Sequence, residues 1–281
     1  MIDFVDVTKR YGSTTAINGM TLTISEDGIY CLLGKNGAGK TTFMKLLAGH
    51  IKATEGRIAV DGRKVLPSHM PESVNFIEGN SEQFNMRVAD LIDTAASLQE
   101  GFDREFALKM VNRFDLRRDK KYKSLSFGMK TMLTTILALA NTSKIILLDE
   151  PVLGFDAIMR AQFNTLLLES YQEHPRIIIV STHLIDEIAK VTERLIIINN
   201  GEILLHTDIG DIDEKAYTLT GPAESVVPLL KSLNCIGKTS VGSMLAAHIY
   251  DNRIEPPEGV RLDRLTLQDF FINIVGGCVH E

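Results

Sequence analysis

The apolar positions of this chain change period along its length, and each change marks an element. Residues 2–7 (Ile-Asp-Phe-Val-Asp-Val) alternate apolar and polar as a half-buried strand does, and residues 20–24 (Met-Thr-Leu-Thr-Ile) alternate again. Residues 57–61, followed by Gly62, predict a further strand and its turn. Between them, Ile29-Tyr30-Cys31-Leu32-Leu33 is a continuous apolar run, the pattern of a strand buried on both faces. Residues 42–49 then read as a helix stopped by glycine.

From residue 86 the period becomes helical. Val88, Leu91, Ile92 and Ala95 fall on one face, as do Phe106, Met110, Val111 and Phe114. Residues from about 84 to 140 therefore predict a mostly helical insertion, ending in a buried helix over about 127–140. Two short apolar runs follow, ending at Asp149-Glu150 and at Ser181-Thr182-His183, with a helix over about 157–173 between them. Strand–helix–strand alternation predicts an α/β core with a parallel sheet. Residues 194–198 and 202–206 predict a hairpin around Asn199-Asn200-Gly201. Asp208 to Lys215 reads as an acidic, linker-like stretch. Segments 216–220, 224–233, 245–250 and 267–275 then predict a small α+β appendage, with Pro256-Pro257 in a loop. The division expected is a first domain over 1–206 and an accessory one over 207–281.

Composition narrows the function classes. The net charge of −6, with no basic stripe, argues against a nucleic-acid partner. Cys31, Cys235 and Cys278 are too scattered for a disulfide or zinc framework, and Cys31 falls in a buried strand as a small core residue. No apolar run reaches the roughly 18 residues that cross a bilayer. The first residues, Met1-Ile2-Asp3-Phe4, have neither the basic nor the apolar region of a signal peptide.

The chemistry begins at Gly34-Lys35-Asn36-Gly37-Ala38-Gly39-Lys40-Thr41-Thr42, which fits the phosphate-loop pattern between a strand and a helix. Glycines let successive backbone N–H groups turn toward an anion, and the helix N-terminus adds partial positive charge. Lys40 would reach the β- and γ-phosphates, and the Thr41 hydroxyl would sit on Mg²⁺. Asp149 and Glu150 close a buried strand, and adjacent residues on a strand point to opposite faces. Asp149 is thus expected in the Mg²⁺ shell, with Glu150 orienting or deprotonating the attacking water. A histidine ending a strand is commonly a packed or surface residue. His183, however, shares the strand-end edge with both acids, where open α/β sheets bind ligands, and this points to the γ-phosphate.

In this order the motifs resemble those of the nucleotide-binding subunit of ABC transporters. Residues 34–42 resemble its Walker A loop, residues 145–150 its Walker B strand, and His183 its switch histidine. Leu125-Ser126-Phe127-Gly128-Met129 resembles the signature, usually Leu-Ser-Gly-Gly-Gln, and Gly154-Phe155-Asp156 resembles the D-loop. The resemblance covers residues 1 to about 206. It implies a P-loop NTPase fold, a mixed sheet with a strand-rich N-terminal part, and a helical signature subdomain. Tyr11 would stack on adenine, and Asn36, Gly37, Ala38, Gly39, Lys40, Thr41 and Thr42 would bind the phosphates. Ser126 and Gly128, at a helix start that also suits Ser126 as an N-cap, would face the γ-phosphate held by a second ATPase copy.

Three departures stand out. Phe127 and Met129 replace signature residues but leave Ser126 and Gly128. The family's Mg²⁺-binding glutamine has no match: spacing puts Glu78 there, or Gly79 if the alignment slips by one. A glutamate can ligate Mg²⁺ but adds negative charge near the phosphates.

The run Leu265-Thr266-Leu267-Gln268-Asp269-Phe270-Phe271 resembles the tail of a subset that pairs with separate membrane subunits and exports drugs, lipids or peptides from bacteria. Ile77-Glu78 resembles antimicrobial-peptide and bacitracin-type exporters. The expected function is therefore an ATP hydrolase, using ATP and Mg²⁺, that powers a membrane exporter. It would work through a transmembrane permease on another chain and a second ATPase copy, identical or not, at the cytoplasmic face of the membrane. The segment 80–85, with Phe84 as an exposed-looking aromatic, would touch the permease. The alternative is a soluble ABC-type conformational switch, whose relatives usually carry two such domains in one chain.

Overall fold

The computed structural model describes residues 1–78 and 84–276. The chain divides into two compact units, Met1–Leu205 and His206–Glu281.

In the first unit, the strands β1 (Ile2–Tyr11), β2 (Thr14–Ile24), β4 (Glu55–Val60) and β5 (Arg63–Lys64) form an antiparallel sheet ordered β2-β1-β4-β5. A second sheet holds β3 (Gly28–Leu33), β6 (Val74–Glu78), β7 (Ile145–Asp149), β8 (Ile177–Ser181), β9 (Arg194–Asn199) and β10 (Glu202–Asp208) in the order β10-β9-β3-β8-β7-β6. Strands β6, β7, β8, β3 and β9 run parallel. Every residue of β3, β7 and β8 is buried, as continuous apolar strands covered on both faces must be. Asn200 and Gly201 turn β9 into β10 with positive φ at both positions (51° and 80°), the conformation of a tight hairpin.

Helix α1 (Lys40–Leu47) follows β3 and packs on β6 and β7. The Phe43 ring of α1 stacks on Phe4 of β1 with centroids 4.8 Å apart, so the core shared by the two sheets also fixes this helix. Helices α2 (Val88–Leu98), α3 (Arg104–Arg113) and α4 (Phe127–Leu139) form the helical part, and α4 also packs on β6, β7 and on α5 (Ala157–Glu173). Phe84 is half-buried, its ring edge-on to Tyr122 at 5.3 Å, so the exposed aromatic expected there is a packed one. Residues 79–83, and with them the alternative Gly79 and most of the expected permease-contacting segment, lie outside the described residues. The short α6 (Ile185–Ile188) follows β8.

The second unit contains α7 (Ile209–Lys215), β11 (Ala216–Pro222), α8 (Ala223–Val226), β12 (Cys235–Val241), β13 (Met244–Tyr250), β14 (Arg261–Arg264) and α9 (Leu267–Gly276), with an antiparallel sheet ordered β12-β13-β11-β14. Residues 209–215, expected as linker, are helical. Ile212 is buried, and Lys215 pairs with Asp211 one turn away, which is enough to hold a short polar helix against its unit. Strands β12 and β14 show no clear apolar period, because four of the seven residues of β12 are exposed and none of β14 is buried.

Candidate functional site

The phosphate loop leaves β3 at Gly34 and enters α1 through Gly39, which caps the helix in a left-handed conformation (φ 113°). A Cβ on Gly39 would lie 2.6 Å from the Ala16 carbonyl oxygen, so no other residue fits there. Gly37 needs glycine for a different reason: its φ is 81°, but the space around it is open. Asn36 and Gly37 are exposed, Ala38 is buried, and Thr42 lies half-buried in the first turn of α1. Lys40 is buried, with Nζ donating to the carbonyls of Gly34 at 2.8 Å and Lys35 at 3.4 Å. A full positive charge held over a curled backbone at a helix N-terminus is a fitting seat for a polyphosphate.

The parallel sheet brings its other functional groups to the same edge. Asp149 ends β7 nearly buried, at 7 % exposure, and both its oxygens are engaged. Oδ2 accepts from Thr41 Oγ1 at 2.6 Å and Oδ1 accepts from Ser181 Oγ at 2.5 Å. Two hard oxygens at one point suit Mg²⁺, which keeps several waters and phosphate oxygens and takes few protein ligands. Among the described residues no cluster of three or more His, Cys, Asp or Glu forms a self-sufficient metal cage.

Glu150 sits one residue past β7 with φ at 50°, a left-handed conformation that costs a non-glycine residue roughly 1–2 kcal/mol. Ser181 holds it there: the Glu150 N–H donates to the Ser181 carbonyl at 3.1 Å and to its hydroxyl at 3.0 Å. Backbone strain over-determined by its surroundings is found at functional sites. The Glu150 carboxylate meets His183, Oε2 to Nδ1, at 2.9 Å. Ser181 thus bonds to Asp149 and Glu150 at once, a role the motifs did not show. Its one sequence signal is a lone polar residue closing an otherwise apolar strand. Cys31 lies behind this edge on β3; burial pushes its thiol well above the usual range, and the Glu150 charge adds to the shift, as befits an inert core residue.

The structure seats Glu78 beside Asp149, as its register partner across β6 and β7. Its Oε1, however, is met by Lys45 Nζ of α1 at 2.7 Å. Lys45 belongs to no motif, and nothing local in the sequence singles it out. Tyr11 ends β1 with an exposed ring and Lys9 Nζ 4.8 Å from its centroid, open to stacking.

Ser126 and Gly128 are not brought to the loop. Ser126 caps α4, accepting from the Met129 N–H at 3.3 Å within its own helix. Gly128 is buried, and a Cβ there would lie 3.0 Å from Met159 Sδ and 3.1 Å from the Gly154 carbonyl oxygen. Phe127, one of the departures, and Phe155 of the D-loop-like run find their places in the same neighbourhood. The Phe127 ring lies against Gly154, and Phe155 is buried, edge-on to Phe163 at 6.2 Å. Asp156 caps α5 by accepting from the Met159 N–H at 2.8 Å.

Comparison with known proteins meets this geometry directly. Residues 17–153 match the family model described as ABC transporter. The chain is 30% identical over 217 residues to the ABC transporter ATP-binding protein YtrB of Bacillus subtilis (strain 168), covering 76% of this chain and 73% of that protein. It is 29% identical to the lantibiotic transport ATP-binding protein SrtF of Streptococcus pyogenes, over 74% of this chain and 91% of that one. The bacitracin transport ATP-binding protein BcrA of Enterococcus faecalis is 24% identical over 99% of this chain and 97% of its own length. Among solved structures, a dimeric post-hydrolysis state of the ATP-binding cassette MJ0796 bound to ADP and Pi shares the fold, with a TM-score of 0.63 at 23% identity over 74% of this chain and 99% of that one. The phosphate loop, the acid pair and His183 on one sheet edge, with these likenesses, place the chain among the ATP-binding proteins of ABC transporters, the ATP hydrolases that drive transport.

Proposed function

We propose that this chain is the ATP-hydrolysing subunit of a membrane exporter for drugs or antimicrobial peptides, working at the cytoplasmic face of a bacterial membrane. The observation that carries the hydrolytic reading is the Glu150–His183 hydrogen bond beside the Thr41–Asp149 pair. Lys40, Thr42 and the N–H groups of residues 36–41 bind the phosphates, and Tyr11 offers its ring to adenine. Thr41 and Asp149 would hold Mg²⁺, which would supply positive charge to offset that of the phosphates. Glu150 takes a proton from, or orients, the attacking water, and His183 orients Glu150 and reaches the γ-phosphate.

Ser126 and Gly128, whose contacts are with Met129, Met159 and Gly154, serve the nucleotide of a second ATPase copy. The transmembrane permease is a separate chain in this reading, which rests on relatives named as ATP-binding proteins of transporters. The export class rests on relatives named for bacitracin and lantibiotic transport, the first aligned across almost the whole chain. Residues 207–281 form an accessory domain to the ATP-binding domain over 1–206, whose helical part spans about 84–140.

The test is Glu150→Gln in the full chain. ATP binding is expected to persist while turnover falls by at least about 10²-fold, and the protein is expected to accumulate as an ATP-bound dimer. Normal turnover would overturn the assignment. A tagged pull-down from native membranes should bring down a polytopic protein, and its absence would overturn the transporter partnership.

A further inference from the structure

In the second unit the core side of the sheet turns polar at its edge. Residues directly opposite on paired antiparallel strands point the same way. One row across the sheet is Leu219 of β11, Ala247 of β13 and Lys238 of β12, and another is Gly221, Leu245 and Ser240. Leu219, Ala247 and Leu245 belong to the buried core of this unit. Lys238 and Ser240 therefore stand on the core side of β12, the edge strand. Helix α8 packs on β11 and β13. Between α8, the turn that follows it and the edge strand lies a cleft of about 390 Å³. Ala223, Val227, Leu230 and Leu245 give it an apolar wall. Its polar groups are Ser240, Lys238 and Lys231, the last at the end of a 3₁₀ turn over Leu229–Lys231.

The charge in this cleft is of one sign, since no acid lines it. The rest of the unit is rich in acids, and its other cations are engaged. Lys215 pairs with Asp211, Arg261 with Asp263 and Arg264 with Asp213, while Arg253 donates to the carbonyls of Asp213 and Glu214. Among the described residues, neither the Lys231 nor the Lys238 ammonium meets a carboxylate. A lysine on an edge strand discourages pairing with another chain. That role needs neither a second lysine from another element nor an apolar wall beside it. The size of the cleft sets the kind of ligand. It lies at the lower end of the range for small-molecule pockets, roughly 300–1,000 Å³, whereas a folded partner would cover about 800 Å² of surface.

We propose that this cleft binds a small amphipathic carboxylate, an acyl chain of medium length. The chain lies on the wall of Val227, Leu230 and Leu245, and the carboxylate is met by Lys231, Lys238 and the Ser240 hydroxyl. This gives the second unit a ligand of its own, independent of the ATP-binding reading.

The test uses octanoate as the probe, titrated into the full chain at low salt and followed by methyl NMR. Saturable shifts are expected at the methyls of Ala223, Val227, Leu230 and Leu245. Octanol lacks the charge and acetate lacks the chain, so each should bind roughly tenfold more weakly than octanoate. Lys231→Gln and Lys238→Gln should each raise the dissociation constant for octanoate roughly threefold, and together about tenfold. Both side chains are exposed, so these variants should keep the wild-type methyl spectrum of the core. Val227→Asp, at another exposed position, sets a like charge in the cleft and should abolish binding. Octanol binding as tightly as octanoate would overturn the proposal, leaving a bare apolar patch. Acetate binding as tightly would overturn it too, leaving two surface lysines. So would a double lysine variant with unchanged affinity, shifts centred on other methyls, or no saturable shift at all.

Discussion

The Glu150 carboxylate and the His183 imidazole meet at 2.9 Å, Oε2 to Nδ1, just past the ends of two adjacent parallel strands. Neither side chain is held by its own strand alone. Glu150 has left the strand conformation, and His183 follows Thr182, whose hydroxyl accepts the Leu184 N–H at 3.0 Å. Each therefore depends on the other for direction.

His183→Ala follows as the first prediction. Removing the imidazole releases Glu150 from its orientation but leaves Lys40 and the loop amides untouched. Single-turnover hydrolysis should slow by about 10²-fold or more, while the equilibrium dissociation constant for ATP changes little. A matching loss in affinity would make His183 a binding group and not an orienting one.

Ser181→Ala gives the second. The hydroxyl donates to Asp149 Oδ1 and accepts from the Glu150 N–H, both in buried or half-buried surroundings. Its removal strands the buried carboxylate oxygen and should cost about 1–3 kcal/mol in urea unfolding. Mg²⁺-dependent nucleotide binding should weaken more than binding in chelator, because Asp149 loses the bond that fixes it. Equal weakening in both conditions would argue that Ser181 supports only the fold.

Much of this was legible because it is local. The strand–loop–helix at 29–49, the apolar runs of β7 and β8, and the helix opened by Asp156 all declare themselves within a few residues. What escaped depends on register. Lys45 finds Glu78 only because α1 lies across β6, and Ser181 finds Asp149 only because the strands pair without a slip. In the second unit, β12 carries four exposed residues at its end and too few apolar ones to show a period, so pairing with β13 defines it.

His248 of β13 carries a pH prediction for the second unit. Burial pushes its pKa below the usual 6.5; Asp269 on α9 opposes the shift, and the Thr218 hydroxyl lies 3.0 Å from Nδ1. The unfolded chain takes up a proton near 6.5 and the folded chain only at lower pH, so the unfolded state binds more protons in that window. Stability is full above it and falls as pH drops through it. Between about pH 7.5 and about pH 5.5 the wild type should lose more stability than His248→Gln, and an NMR titration should place the folded pKa below 6.5. Parallel pH profiles for the two proteins would remove His248 as the cause.

Arg176 separates two ideas about buried charge. It is 3 % exposed, and all its partners are neutral. Nη1 donates to the Asn141 carbonyl at 2.5 Å, and Nη2 donates to the Leu139 carbonyl at 2.7 Å and to Ser170 Oγ at 2.6 Å. These carbonyls close α4, the helix that Ser126 opens, and carry the partial negative charge of a helix C-terminus. Burial lowers the guanidinium pKa to about 10, since desolvation disfavours the charge. Arg176→Met loses those bonds but also relieves the desolvation, so the net cost should be about 2 kcal/mol. Arg176→Lys keeps the charge but cannot span three acceptors from one ammonium, so it bears the desolvation with fewer bonds in return. Urea unfolding should therefore rank the lysine variant no more stable than the methionine one. A lysine variant near wild type would mean that charge alone, without the planar fork, secures the end of α4.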